Sequence, residues 1–320
     1  MLVLANDGIS QSGQDKLIEY GFTVETNNVP QENLVEYINE NKVAALLVRS
    51  ATVVRKDIID NCPSLKFIGR GGVGMDNIDV EYARSKGITV NNTPAASSQS
   101  VAELVFGQML SISRFTHISN REMPENGETE FKALKKKYGK GSELRGKTLG
   151  IIGFGRIGKS LAGYALGCGM NVIITDKLGI DTKITIQFFN GKSIDIDVNK
   201  VSFDELISSS DYISLHVPKQ EDGTAVIGDN EINNMKTGVR IINAARGGVI
   251  NEDSLLKGIE SGKISYCALD VYENEPNPRK DLLTNGKIAT TPHIGAATSE
   301  AQDRIGTELA DKINDTFNKN

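Results

Sequence analysis

The chain has 320 residues, 39% hydrophobic and 24% charged, ordinary values for a globular protein and enough for two domains with sizeable cores. A net charge of −5 excludes the basic footprint of a general nucleic-acid binder. Cys62, Cys168 and Cys267 are far apart and odd in number, without metal or disulfide spacing, so no metal site is expected and burial in a reducing compartment is their default role. Met1–Ala5 reads directly as a strand with no signal-peptide features, and no apolar run reaches membrane-spanning length. A cytoplasmic protein without membrane association is expected.

The first ninety residues alternate short apolar runs with amphipathic segments. Leu2–Ala5, Val43–Val48, Leu65–Ile68 and Ile88–Val90 read as strands; Gln14–Tyr20, Gln31–Asn39, Lys56–Asn61 and Val80–Lys86 read as helices between them. This alternation predicts a parallel sheet with helices on its faces. Gly69-Arg70-Gly71-Gly72-Val73-Gly74 has the spacing of a dinucleotide loop. Yet the next strand ends in Asn91 and Asn92 and not in an acid. Asp76, Asn77 and Asp79 also stand where a phosphate-facing helix should begin. This match therefore reads as a nest of backbone N–H groups for a smaller anion, with a structural turn as the alternative. Asn92-Thr93-Pro94 ends the unit, because proline pushes its predecessor out of helical geometry.

A long helix is expected from about Ser97 to Arg114. Residues 115–145 read as a polar crossing segment that includes Lys135, Lys136 and Lys137. Leu149–Ile152 then reads as a buried strand entering Gly153-Phe154-Gly155-Arg156-Ile157-Gly158, followed by a helix and a second strand ending at Asp176. Gly153 permits a tight turn, Gly155 lets a pyrophosphate reach the backbone, and Gly158 allows close helix–strand packing. The helix starting near Arg156 directs its free N–H groups at the phosphates. Asp176 stands where an acid accepts the ribose hydroxyls of the adenosine. Beyond it, Lys183–Val198 alternates as a hairpin turning at Asn190-Gly191, an accessory surface element or a contributor to dimerisation.

Further apolar runs recur at Tyr212–Val217, Val239–Ala244, Ser265–Asp270 and Lys287–Thr290. Ligands of open parallel sheets sit at the carboxyl ends of strands, so His216, Arg246, Asp270 and His293 are expected to surround one cleft. Of the three histidines, His117 lies in a polar segment and reads as a solvated surface residue. His216 lies between Leu215 and Val217 and reads as buried and hydrogen-bonded. His293 follows a strand end and Pro292, and is the best general acid/base candidate, since imidazole titrates near working pH. A carboxylate from Asp270, Glu273 or Glu275 could stabilise its charged form. Arg246 offers a planar fork suited to a carboxylate or a polarised carbonyl oxygen.

These motifs, in this order, resemble the D-2-hydroxyacid dehydrogenase family, most closely its D-3-phosphoglycerate dehydrogenase branch. The resemblance rests on Val48–Thr52, Gly69–Asp79, Gly153–Gly158, Asn243–Gly248, Ala268–Val271 with Glu275-Pro276, and Pro292–Ala296. It implies an α/β fold of two doubly wound parallel-sheet domains: a Rossmann NAD-binding domain (95–296) inserted in a flavodoxin-like substrate domain (1–94 plus 297–320). It also implies that Arg246, Glu275 and His293 are catalytic, with Glu275 pairing His293. Gly153, Gly155, Arg156, Ile157, Gly158, Asp176, Val217, Ala244, Ala245, Asp270, Gly295 and Ala296 would hold NAD. Arg49, Ser50, Arg70, Gly71, Gly72, Val73 and Gly74 would bind the substrate, and residues 97–145 would build a homodimer.

Arg49 and Arg70 follow strands of the first domain and exceed what a carboxylate and a C2 oxygen need. They suggest a second, more highly charged group, and guanidinium forks match phosphate well. The expected reaction is NAD-dependent oxidation of D-3-phosphoglycerate at the head of serine synthesis. Pairing of these arginines with local acids such as Asp76 is the plainer alternative. A glyoxylate or hydroxypyruvate reductase, a D-lactate-type enzyme and an NAD-sensing corepressor are the other readings. Val73 and Val217 stand where relatives often carry polar contacts. No regulatory domain is expected after Asn320, nor the serine feedback that longer relatives show.

Overall fold

The computed structural model of the chain describes residues Met1 to Asn318. It divides into two compact units, Met1–Ser100 with the segment from Ala296 onward, and Val101–Gly295. The first unit holds, in chain order, β1 (Leu2–Ala5), α1 (Gln11–Glu19), β2 (Thr23–Glu25), α2 (Leu34–Glu40), β3 (Val43–Val48), α3 (Lys56–Asn61), β4 (Phe67–Arg70), α4 (Val80–Ser85) and β5 (Thr89–Asn92). Its five strands are parallel in the order β2-β1-β3-β4-β5, the flavodoxin-like arrangement. Leu4, Leu46 and Ile68 face one side of the sheet, and Val3, Leu47 and Phe67 the other, as the two-residue period of a strand requires. Two elements differ from the sequence pattern. Helix α1 starts at Gln11 and not at Gln14, because the Ser10 hydroxyl caps it, accepting from Gly13 N at 3.2 Å. Strand β2 is a short edge strand with no buried residue, so no apolar run marks it.

Helix α5 (Ser98–Arg114) begins at the boundary. The second unit continues with α6 (Thr116–Lys137), β6 (Thr148–Ile152), α7 (Arg156–Gly167), β7 (Asn171–Thr175), β8 (Lys183–Gln187), β9 (Ser193–Asp197), β10 (Asn199–Lys200), α8 (Phe203–Ser209), β11 (Tyr212–Leu215), α9 (Asp229–Asn234), β12 (Val239–Asn243), α10 (Glu252–Glu260), β13 (Ile264–Leu269), α11 (Lys280–Leu283) and β14 (Ile288–Thr290). Its main sheet is parallel in the order β10-β7-β6-β11-β12-β13-β14, a Rossmann order with one added strand. Tyr212, Ile242 and Ala268 pack on one face; Ile213, Ile241 and Cys267 pack on the other. Being buried on both sides is why these strands read as mostly apolar runs and not as alternating ones. Each fully buried Ile or Leu among them contributes about 1.5–3 kcal/mol. Helix α12 (Ser299–Asn318) returns the chain to the first unit. There it crosses α1 so closely that a Cβ on Gly13 would lie 2.7 Å from Gly306 Cα.

Residues 115–145 are not simply a polar crossing segment, since α6 occupies much of them. Phe115, at φ 59°, breaks it from α5, and Leu134 is its one buried residue. With almost nothing to bury, α6 shows no apolar stripe, and Pro124 inside it reads as a breaker. The hairpin β8–β9 forms, but its turn is one residue longer than Asn190-Gly191 suggests. Phe188 N donates to Lys192 O at 2.8 Å, and Gly191 N donates to Phe188 O at 3.0 Å. A two-residue turn of that sequence needs positive φ at both central residues, whereas only Gly191 has it, at φ 79°. Among the described residues, no helix is long and apolar enough to cross a membrane.

Candidate active site

Strand β6 runs into Gly153, whose φ of 91° makes the turn; a Cβ there would lie 2.5 Å from His216 O. A Cβ on Gly158 would lie 2.5 Å from Gly153 O, so the loop and α7 are in backbone contact. Gly155, between them, has open space above it. No side chain caps α7, which leaves its first N–H groups available to an anion. Asp176, just past β7, accepts from Phe154 N at 2.8 Å and Leu178 N at 2.9 Å, so it closes the turn and stays half-buried. The neighbouring Lys177 donates to Gln220 Oε1 at 3.1 Å. A loop filled at both ends and open in the middle fits a dinucleotide pyrophosphate.

The ends of β11 to β14 place the other candidates. His216 does not join an open site. Its Nε2 lies 2.9 Å from Ser214 Oγ, its Nδ1 is buried without a partner, and burial pushes its pKa down to about 4. Arg246 sits on a loop ordered by Asn243, which accepts from Ala245 N and donates to Arg246 O, both at 3.0 Å. Asp270 is buried and does not line an open cleft. Its carboxylate accepts from Thr291 Oγ1 at 2.6 Å and from Ile294 N and Gly295 N at 2.9 Å each. It fixes the loop that carries His293. His293 itself adopts φ 55° and is exposed, with Nδ1 2.7 Å from Glu275 Oε2. The second oxygen of Glu275 accepts from Tyr272 N at 2.9 Å. A cavity of about 410 Å³ lies beside this pair, lined by Tyr272, Glu275, Pro276, Leu283 and His293 among others.

Sequence reasoning missed three supports. The Tyr272 hydroxyl donates to Thr291 O at 2.9 Å, and burial pushes its pKa up to about 12, keeping it a neutral donor. Gln108 donates to Thr291 Oγ1 at 3.0 Å. Gly247 presses on the Tyr272 carbonyl so closely that a Cβ would lie 1.7 Å from that oxygen. The Gly247-Gly248 pair was the one available signal of such an approach. His117 is not a solvated surface residue. It is half-buried, with Nε2 3.2 Å from Gly286 O and its ring edge-on to Tyr266; burial lowers its pKa. Burial also pushes the Cys62 thiol up to about 11 and the Cys267 thiol further, so neither is a thiolate nucleophile.

In the first unit, Arg49 follows β3 and Arg70 ends β4, where Val48 pairs with Arg70. The Arg49 stem runs beside Gly71, and the Arg70 guanidinium covers Gly72 and donates to Gly71 O at 3.2 Å. The nest is smaller than its sequence suggests. Gly71 N donates to Val48 O and Gly72 N to Thr93 Oγ1, so neither N–H is open to an anion. Asp7, unremarked in the sequence, orders the Arg49–Thr52 loop by accepting from Arg49 N at 2.6 Å and Thr52 Oγ1 at 2.6 Å. Among the described residues, Arg49 makes no ion pair, whereas Arg55 pairs with Asp79. Ser50 is exposed.

An open glycine loop that can seat a dinucleotide, and an exposed imidazole oriented by a carboxylate, together suit a dehydrogenase: one holds the hydride carrier and the other moves a proton. Comparison with known proteins narrows that class. Residues 106–295 match the model of the D-isomer specific 2-hydroxyacid dehydrogenase, NAD binding domain. A hydroxypyruvate reductase of Thermotoga maritima is 45% identical over 294 residues, covering 91% of this chain and 89% of the relative. A D-3-phosphoglycerate dehydrogenase of Methanocaldococcus jannaschii is 41% identical over 313 residues, 97% of this chain, which spans only 56% of that relative's length. The holo D-mandelate dehydrogenase of Rhodotorula graminis superposes with a TM-score of 0.85 at 26% identity, covering 98% of this chain and 93% of that one. The chain belongs to the D-isomer specific 2-hydroxyacid dehydrogenase family, and NAD is its cofactor.

Proposed function

We propose that the chain oxidises D-3-phosphoglycerate to 3-phosphohydroxypyruvate. The observation that carries this reading is the Arg49–Arg70 pair at adjacent strand ends, with the Arg49 guanidinium uncommitted to any acid among the described residues. The Arg70 fork over Gly72, with the Arg49 stem beside Gly71, supports a phosphate site, since guanidinium forks match phosphate geometry. The Val73 and Gly74 N–H groups take the carboxylate, and Arg246 steadies the C2 oxygen as it becomes a carbonyl. The Gly153–Gly158 loop, with Arg156 and Ile157, holds the pyrophosphate of NAD, and Asp176 its ribose. Val217, Ala244, Ala245, Gly295 and Ala296 lie along the nicotinamide half. NAD supplies the hydride acceptor. Because Nδ1 of His293 faces Glu275, its Nε2 is the nitrogen that takes the C2 hydroxyl proton. Glu275 then stabilises the imidazolium.

One finding favours a second reading, hydroxypyruvate reduction: the 45% identical Thermotoga maritima reductase, matched over most of its length. The two separate on kcat/KM for 3-phosphohydroxypyruvate against hydroxypyruvate with NADH. We expect at least about tenfold preference for the phosphorylated acid, about 1.4 kcal/mol, lost mainly through KM in Arg49→Ala. A higher kcat/KM for hydroxypyruvate makes the chain a reductase of the unphosphorylated acid.

A further inference from the structure

The most deeply placed carboxyl group not used above is Glu252, the first residue of α10, only 4% exposed. One of its oxygens accepts from Glu273 N at 2.8 Å, while Glu252 N donates to Glu273 Oε1 at 3.0 Å. Its second oxygen is buried with no hydrogen-bond partner. A carboxyl group left half-satisfied in the interior costs stability, so its position calls for a reason. The clasp with Glu273 grips the segment that presents the acid. Within that segment Tyr272 N donates to Glu275 Oε1, and Glu275 Oε2 orients His293. On the other side, Gly247, next to Arg246, is packed against the Tyr272 carbonyl. The segment is thus held between α10 and the Arg246 loop. Burial raises the Glu252 pKa, the hydrogen bond from Glu273 N opposes that rise, the Glu273 carboxylate and Asp281 add to it, and Arg279 opposes it.

We propose that Glu252 is a positioning residue: through its reciprocal clasp with Glu273 it sets the placement of Glu275, and through it the presentation of the His293 imidazole. This rests on His293 and Glu275 acting as proposed above. The test compares Glu252→Ala, Glu252→Gln and His293→Ala in the full chain, measuring kcat, KM, NADH affinity and the pH profile of kcat. Glu252→Ala should lower kcat about tenfold or more, since small misplacements of reacting groups are costly. It should also displace the pH limb that His293→Ala abolishes, while NADH affinity changes less than about twofold on that same scale of effects. Glu252→Gln keeps an oxygen for Glu273 N and should recover most of kcat. A normal kcat and pH profile in Glu252→Ala overturns the inference. So does a loss shared equally with NADH affinity, or no recovery by glutamine. If Glu252→Ala fails to fold, Glu273→Ala at the exposed end of the clasp must displace the same limb, and an unmoved profile there rejects it. Wild-type kcat in His293→Ala would instead reject the roles given to the pair itself.

Discussion

Gly69–Gly74 in the first unit and Gly153–Gly158 in the second follow one pattern and build different things. Gly153 turns the chain with φ 91°, whereas Gly69 lies inside β4, where a Cβ would meet the Leu47 and Phe67 side chains. Gly155 stands open, whereas Gly71 is beside Arg49 and Ile305. Gly158 seats the twelve-residue α7, whereas Gly74 enters an irregular stretch before α4 begins at Val80. Asn77 occupies that stretch, donating to Arg49 O and Thr52 O. The lesson is that glycine spacing records where backbone must approach something, and the element that follows decides what. A helix start leaves N–H groups open beside Gly155, whereas at Gly72 an arginine folds over the glycine.

Four substitutions or measurements can break or sharpen that contrast. The largest effect is expected from Gly153→Ala, because the new Cβ would press on backbone, His216 O at 2.5 Å, in a left-handed conformation. Strain of about 2 kcal/mol or more corresponds to about thirtyfold weaker NAD binding, read by titration calorimetry. Unchanged affinity would remove the loop from the cofactor site. Gly72→Ala should differ in kind. It sits at φ 140°, so alanine is strained there as well, but its Cβ meets the movable Arg70 guanidinium at 1.7 Å and not backbone, so KM for the acid substrate should rise while NAD affinity holds. A parallel loss of NAD affinity would mean the two loops are not distinct.

NADP should be used at least about tenfold less well than NAD in kcat/KM, about 1.4 kcal/mol. Asp176 repels a 2′-phosphate, and Lys177 is engaged by Gln220. Equal use of both cofactors would contradict this. The smallest effect is on stability. The His216 pKa of about 4 lies below the unfolded value of about 6.5, so protonation favours the unfolded chain. Its contribution is complete above pH 6.5 and lost as pH falls toward 4. Thermal melts should therefore show Tm falling across that window, with a shallower fall in His216→Asn. An identical slope in the variant would show that other groups set the acid limb.

The parallel sheets were legible because a central strand such as Val43–Val48 is a continuous apolar run, a pattern that depends only on neighbours in sequence. Helix α6 was not, since a helix that buries only Leu134 carries no period to read. The dinucleotide loop was legible because its parts are contiguous, from Thr148 to Asp176. His293 and Arg246 stood out as chemistry-bearing residues at strand ends. His117 and His216 were settled by surroundings from distant segments, Gly286 for one and the Gly153 turn for the other.

The α/β class and the family, then, follow from the sequence, because each rests on local period or on the spacing of short motifs. Tertiary structure alone decided that Glu252 clasps Glu273, that Asp270 is spent on the His293 loop, and that Gly71 and Gly72 give their N–H groups to β3 and Thr93. The physical reason is common to all three. Such bonds join loops at the ends of different strands, and which loops meet depends on parallel pairing between residues far apart in the chain, a property with no local signature.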